Sequence, residues 1–244
     1  MRIGIDAHIV LPEHKRFDQR IAQYTEDLMT HMIDSDKNQE HTWVLFFDNR
    51  MKDTKKFERK NVEIKHFPFV QYRQYLPVFY SHMLIASFLR SAKLDVFHSP
   101  EGLIPFGYMG NIVTTFHYVP KGKTESNLFV RSVMMGARAA FAQLCRRAKR
   151  IIVSKKSDRK ILTDIHGYPK ERVVVMEESS LDKVDWKKRG AQLMDVYEEV
   201  AVKRGAKGKE AAKKQQVAKK SGSRKGSGKK SKTARGKRSR KAKK

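Results

Sequence analysis

The chain has a single cysteine, Cys145, so no disulfide can form within it and no cysteine cluster can hold a metal. That usage suits a reducing compartment. Apolar runs of about 18 residues, the length a membrane-spanning helix needs, are also missing. The opening Met1-Arg2-Ile3-Gly4-Ile5-Asp6 reaches an acid too early for the apolar stretch of a secretory signal. No glycine occurs between Gly4 and Gly102. The loop after the first strand therefore lacks the Gly-x-Gly-x-x-Gly fingerprint that lets a backbone approach a dinucleotide, and no NAD-type cofactor is expected. Gly122-Lys123-Thr124 has the ending of a P-loop, but the first glycine of that motif falls on His117. Asp34-Ser35-Asp36 lies between a helical and a strand pattern and reads as a polar turn; no metal is expected.

Acids are scarce in one region only. Residues 203–244 hold 20 of the 53 Lys and Arg residues beside a single acid, Glu210, and so carry +19 of the net +27. The first 202 residues carry only +8. The strong basicity describes the tail and not the fold.

Through the first 176 residues, short apolar runs alternate with longer amphipathic stretches. Residues 3–5, 43–47, 62–66, 96–98, 112–116, 151–154 and 173–176 read as strands, several without polar alternation, as expected of strands covered on both faces. Between them, Ile21, Tyr24, Leu28 and Met32 mark a first helix with Asp18 as its N-cap. Further helices are expected over 76–91, 128–148 and 155–166, the last stopped by Gly167. Strand and helix in alternation predict an α/β fold with a single doubly wound, Rossmann-like parallel sheet. A last helix over 184–202 starts from the N-cap Asp185 and puts Trp186, Leu193, Tyr197 and Val200 on one face. The expected organisation is a domain over 1–180, this helix packed back on it, and a disordered tail over 203–244. The tail has too few apolar residues to offset an ordering entropy of roughly 1–2 kcal/mol per residue.

Open parallel sheets bind ligands beyond the C-terminal ends of their strands. Candidate site residues therefore come from His98, Ser99, Glu101 and Gly102 after one strand and from His117 and Tyr118 after the next. Ser154 or Ser157 follows a third strand, near a helix N-terminus able to bind an anion. For a single histidine the plainer reading is a hydrogen-bonded core or loop residue.

Several of these blocks, taken in order, carry a resemblance. They are Arg2-Ile3-Gly4-Ile5-Asp6-Ala7, Ile21-Ala22-Gln23-Tyr24-Thr25 and Trp43-Val44-Leu45-Phe46, then Asp95 to Pro100, Val113 to His117, Ile151 to Ser157 and Gly167 to Met176. Together they resemble the N-terminal, acceptor-side domain of GT-B glycosyltransferases of the family-4 type over about residues 1–178. The resemblance implies one half of a GT-B fold, with His117 contacting the reacting sugar and His98 and Ser154 lining a cleft. It also implies that a second domain is needed to bind the nucleotide sugar. The pattern departs from that family in places. The glycine-rich first loop is here Asp18-Gln19-Arg20-Ile21-Ala22, where Arg20 becomes a candidate diphosphate contact. Tyr118 replaces the acid after the histidine. No Gly-Phe-Gly-x-Pro block with paired glutamates follows Met176. The expectation is an acceptor-side domain, inactive alone, whose donor half is a separate polypeptide and whose acceptor is a sugar or lipid-linked sugar.

A second expectation rests on the tail. Its cations neutralise phosphates, but it has no aromatic residue on which bases could stack. Nucleic acid and anionic lipid are equal partners for it, the latter at roughly 1 kcal/mol per Lys or Arg near the surface. Phe67, Phe69, Tyr72, Tyr75, Phe79 and Tyr80, interspersed with Arg73 and His82, fit an interfacial helix and, preferably, an ordinary helix packed on a sheet. The localisation expected from these features is cytoplasmic, with peripheral attachment at the inner membrane face.

Overall fold

The computed structural model describes residues 1–11, 19–67, 78–102, 104–105, 107–119, 141–143, 145–177 and 183–201, with only the backbone described over 78–82. Asp18, the tail and most of the helix expected over 128–148 lie outside the described residues.

The strands are β1 (Arg2–Asp6), β2 (Thr42–Phe47), β3 (Val62–His66), β4 (Val96–Ser99), β5 (Ile112–Phe116), β6 (Arg150–Val153) and β7 (Val173–Val175). They form one sheet in the order β3-β2-β1-β4-β5-β6-β7, and every pairing is parallel. This is the Rossmann-like order, with its reversal point between β1 and β4. The expected α/β class and all seven strands are present, with end shifts of a residue or so.

Helices cover both faces. Along β2, Trp43, Leu45 and Phe47 enter one core and Val44 and Phe46 the other, which is why this strand shows no polar alternation. The first core is closed by α1 (Gln19–Ser35) and by α4, residues 186–201. The second is closed by α2 (Val78–Ser91) and α3 (Lys156–Asp164). In α1 the buried residues Tyr24, Leu28, Met32 and Ile33 recur at helical spacing. In α2 the described side chains Ile85, Ala86 and Leu89 are buried while Met83 and Leu84 are exposed, so this part of the aromatic stretch packs on the sheet. Residues 141–143 are also helical. After α3, Gly167 takes a left-handed conformation (φ 63°) and turns the chain.

The turn after α1 is polar for a specific reason. The Asp36 carboxylate accepts the backbone N–H groups of Glu40 and His41, the Trp43 indole N–H and the Asn61 amide, all within 3.0–3.2 Å. Its oxygens tie the turn to β2 and to Asn61, just ahead of β3.

Helix α4 begins where Asp185 Oδ1 accepts the Lys188 N–H at 3.1 Å, an N-cap bond. Its residues Leu193, Val196, Tyr197 and Val200 are buried in the first core; full burial of an aliphatic side chain contributes about 1.5–3 kcal/mol. Glu199 pairs with Arg150, and Arg189 donates to the Met176 carbonyl at 3.0 Å. Among the described residues no helix is long and apolar enough to cross a membrane.

Candidate functional site

The reversal point of the sheet is occupied by a charged cluster. Asp6 ends β1 and His8 follows two residues later; Ser99 ends β4 and Glu101 follows two residues later. His8 Nδ1 lies 2.6 Å from Asp6 Oδ1, and His8 Nε2 lies 2.9 Å from Glu101 Oε2. All three side chains are more than nine-tenths buried. Burial alone opposes a charge on His8, but the attraction of Asp6 and Glu101, reinforced by their hydrogen bonds, raises its pKa to about 9. His8 is an imidazolium at neutral pH, clamped between two carboxylates and bridging the two strand ends. Asp6 Oδ2 has no hydrogen-bond partner among the described residues.

Just beyond Glu101, Gly102 has φ 85°. A Cβ at that position would lie 2.7 Å from the Phe116 ring. Only glycine lets the chain turn here while passing over the end of β5.

His117 is half-buried at the end of β5. Its Nε2–H donates to the Pro100 carbonyl at 2.8 Å. A carbonyl only accepts, so the bond assigns a proton to Nε2, while Nδ1 is buried. The Tyr24 ring meets His117 edge-on at 4.8 Å between centroids. Tyr24 in turn lies 5.2 Å from Trp186, the first residue of α4. Burial pushes the Tyr24 phenol upward, partly countered by Arg189. Asp6, His8, Glu101, His117 and Tyr24 thus gather at the C-terminal edge of the sheet, on loops whose positions strands β1, β4 and β5 fix.

His98 corrects an expectation. It is wholly buried and does not line an open cleft. Its Nδ1 is 2.6 Å from the Tyr197 hydroxyl of α4 and its Nε2 is 3.0 Å from Thr115 Oγ1. Burial, then the nearby His117 and Arg189, push its pKa down to about 3. A permanently neutral ring between two hydroxyls is a tie between sheet and helix, not an acid or base. Tyr197→Phe is expected to remove one of these bonds and cost about 1–3 kcal/mol. Urea denaturation measures it; a loss below about 0.5 kcal/mol would show the bond to be dispensable.

The remaining candidates are dispersed. Ser99 is fully buried, Tyr118 is 72% exposed, Ser154 is half-buried and Ser157 is exposed in the first turn of α3. Arg20 is exposed and helical, because the segment read as a first loop is helix from Gln19 onward. Glutamine, arginine and alanine are good helix formers, and nothing there breaks the turn. Sequence reasoning missed His8 and the role of Asp6. The signal available was Asp-Ala-His at the end of the first strand, opposite Ser-Pro-Glu at the end of the fourth.

No curated protein matches the chain. Among solved structures, a glycosyltransferase from Rickettsia africae ESF-5 aligns with 14% identity and a TM-score of 0.42, over 80% of this chain and 49% of that one. The chain thus spans about half the length of that neighbour. The family model for Glycosyltransferase Family 4 matches residues 21–177, from α1 to the end of β7, and the chain belongs to that family.

Proposed function

We propose that this chain acts as the acceptor-side half of a transferase that moves a sugar from a nucleotide sugar to a sugar or lipid-linked sugar. The observation that carries the reading is His117. In a family-4 domain it stands half-buried at the ligand-binding edge of the sheet, its ring held by the Nε2–H bond to the Pro100 carbonyl. A histidine at this edge orients an acceptor hydroxyl or stabilises charge on the reacting sugar. The imidazolium of His8 holds the neighbouring loop in place. The donor half comes from a second polypeptide, so the reactive cleft closes between chains.

The test is native pull-down followed by reconstitution. Purified protein alone is expected to show no transfer from any nucleotide sugar, and a recovered partner to restore it. In the reconstituted pair His117→Ala is expected to lower kcat by about 10²–10⁴-fold. Turnover by the purified chain alone, or an unchanged rate for the variant, overturns the reading.

A second reading rests on the tail, which carries +19 over its last 42 residues. On this reading the chain is a polyanion-binding protein of the cytoplasm or the inner membrane face, and the sugar-transfer fold is a scaffold. Binding to nucleic acid or anionic vesicles that weakens steeply with salt and disappears on truncation after Gly205 supports it. Binding that survives the truncation refutes it.

A further inference from the structure

At the same C-terminal edge of the sheet, a cavity of about 470 Å³ lies beyond β6 and β7, between the first turns of α3 and α4. It falls within the range of small-molecule sites. Its charge is lopsided: Lys156, Lys183, Lys188 and Arg189 line it against Glu177 and Asp185. Both acids are already engaged. Glu177 pairs with Lys156 at 3.1 Å, and Asp185 caps α4 through the Lys188 N–H. Lys183 and Lys188 have no ion-pair partner among the described residues. Arg189 is only 4% exposed yet lines the cavity. Its guanidinium is held by the Met176 carbonyl at 3.0 Å and adds positive charge to the cavity wall from a fixed position. The α3 N-terminus facing this space has no side-chain cap, so its first N–H groups add partial positive charge. Four cations against two occupied carboxylates leave an excess of two positive charges, which matches one phosphate dianion.

We infer that this cavity is a binding site for a phosphate ester, with Lys156, Lys183 and Lys188 holding the phosphate, Arg189 adding positive charge from the wall, and the remaining volume admitting part of the group it esterifies. The lysines supply mobile point charges at the phosphate oxygens. The site is connected to the His117 region through one residue. Arg189 acts electrostatically on Tyr24, whose ring touches His117. A phosphorylated sugar held in this cavity therefore lies on the same edge as the proposed acceptor-binding residues, although phosphate binding itself does not require transfer to occur.

Calorimetry on the full chain tests this with inorganic phosphate, glucose 1-phosphate, UDP and unphosphorylated glucose as probes. One-to-one binding of glucose 1-phosphate is expected, with weaker binding of inorganic phosphate and none of glucose. The exposed pair Lys156→Gln and Lys188→Gln together are expected to weaken it by at least about tenfold. Lys229→Gln with Lys230→Gln, in the tail, is expected to leave it unchanged. If UDP binds more tightly than glucose 1-phosphate and is equally sensitive to the cavity pair, the phosphate belongs to a nucleotide; the reverse order assigns it to a phosphorylated sugar. Absence of binding at millimolar concentration, or binding that follows the tail variant and ignores the cavity variant, overturns the inference. Far-ultraviolet circular dichroism of the cavity variant, expected to match the parent, separates a lost site from a lost fold. If that variant unfolds, Lys183→Gln alone replaces it, with weakened binding expected and unchanged binding counting against the site.

Discussion

Replacing His8 with leucine is expected to cost about 3–5 kcal/mol of folding stability, the range for breaking a buried ion pair from one side. In the parent, the imidazolium lies within 2.6 Å of Asp6 and 2.9 Å of Glu101. Leucine preserves bulk but leaves two carboxylates facing one another in a dry space. One of them must then take a proton, or the loops after β1 and β4 must separate to admit water. Against a typical domain stability of about 5–15 kcal/mol, the variant remains folded but is easily unfolded. Glu101→Gln is expected to cost less, because His8 keeps Asp6 as its counter-ion. Asp6→Asn added to His8→Leu is expected to recover part of the loss by removing one uncompensated charge. Urea denaturation reads all of these as shifts in midpoint at constant slope. If His8→Leu costs less than about 1 kcal/mol, the cluster does not pin the reversal point.

The architecture was legible because its signals are local. Runs such as Trp43-Val44-Leu45-Phe46-Phe47 are long enough to be strands and apolar on both faces, so each half enters a different core. Gly167 and Asp185 announced a helix end and a helix start through side-chain and backbone requirements that depend on few neighbours. The site was less legible because its bonds are remote in sequence. His98 and Tyr197 are 99 positions apart, and His8 and Glu101 meet only because the chain reverses direction across the sheet between β1 and β4. A histidine at a strand end looks the same in sequence whether it is tied into the core, as His98 is, or half-buried at the edge, as His117 is. Burial by α4 decides between them, and that depends on a helix nearly a hundred residues further along the chain. The resemblance misled at one place: it presented Gln19 to Ala22 as a loop where the local residues favour helix.

The two buried histidines give stability a maximum near pH 6.5. His8 is held protonated up to about pH 9 in the fold, against an ordinary value of about 6.5 in the unfolded chain. Its contribution is complete below pH 6.5 and is lost as pH rises from there to 9, a change of about 3 kcal/mol. His98 works in the opposite direction. It stays neutral in the fold down to about pH 3, whereas the unfolded chain takes up its proton below about 6.5. Acidification therefore favours unfolding, by about 3 kcal/mol between pH 6.5 and 4.5. The two limbs have separate causes and separate controls. His8→Leu is expected to flatten the alkaline limb and leave the acid limb in place. His98→Gln retains a donor and an acceptor toward Tyr197 and Thr115 but cannot titrate, and is expected to flatten the acid limb alone. Urea midpoints measured from pH 4.5 to 9 decide the matter. A profile flat across that range in the parent chain is incompatible with an imidazolium at the sheet reversal point and a neutral imidazole beneath α4.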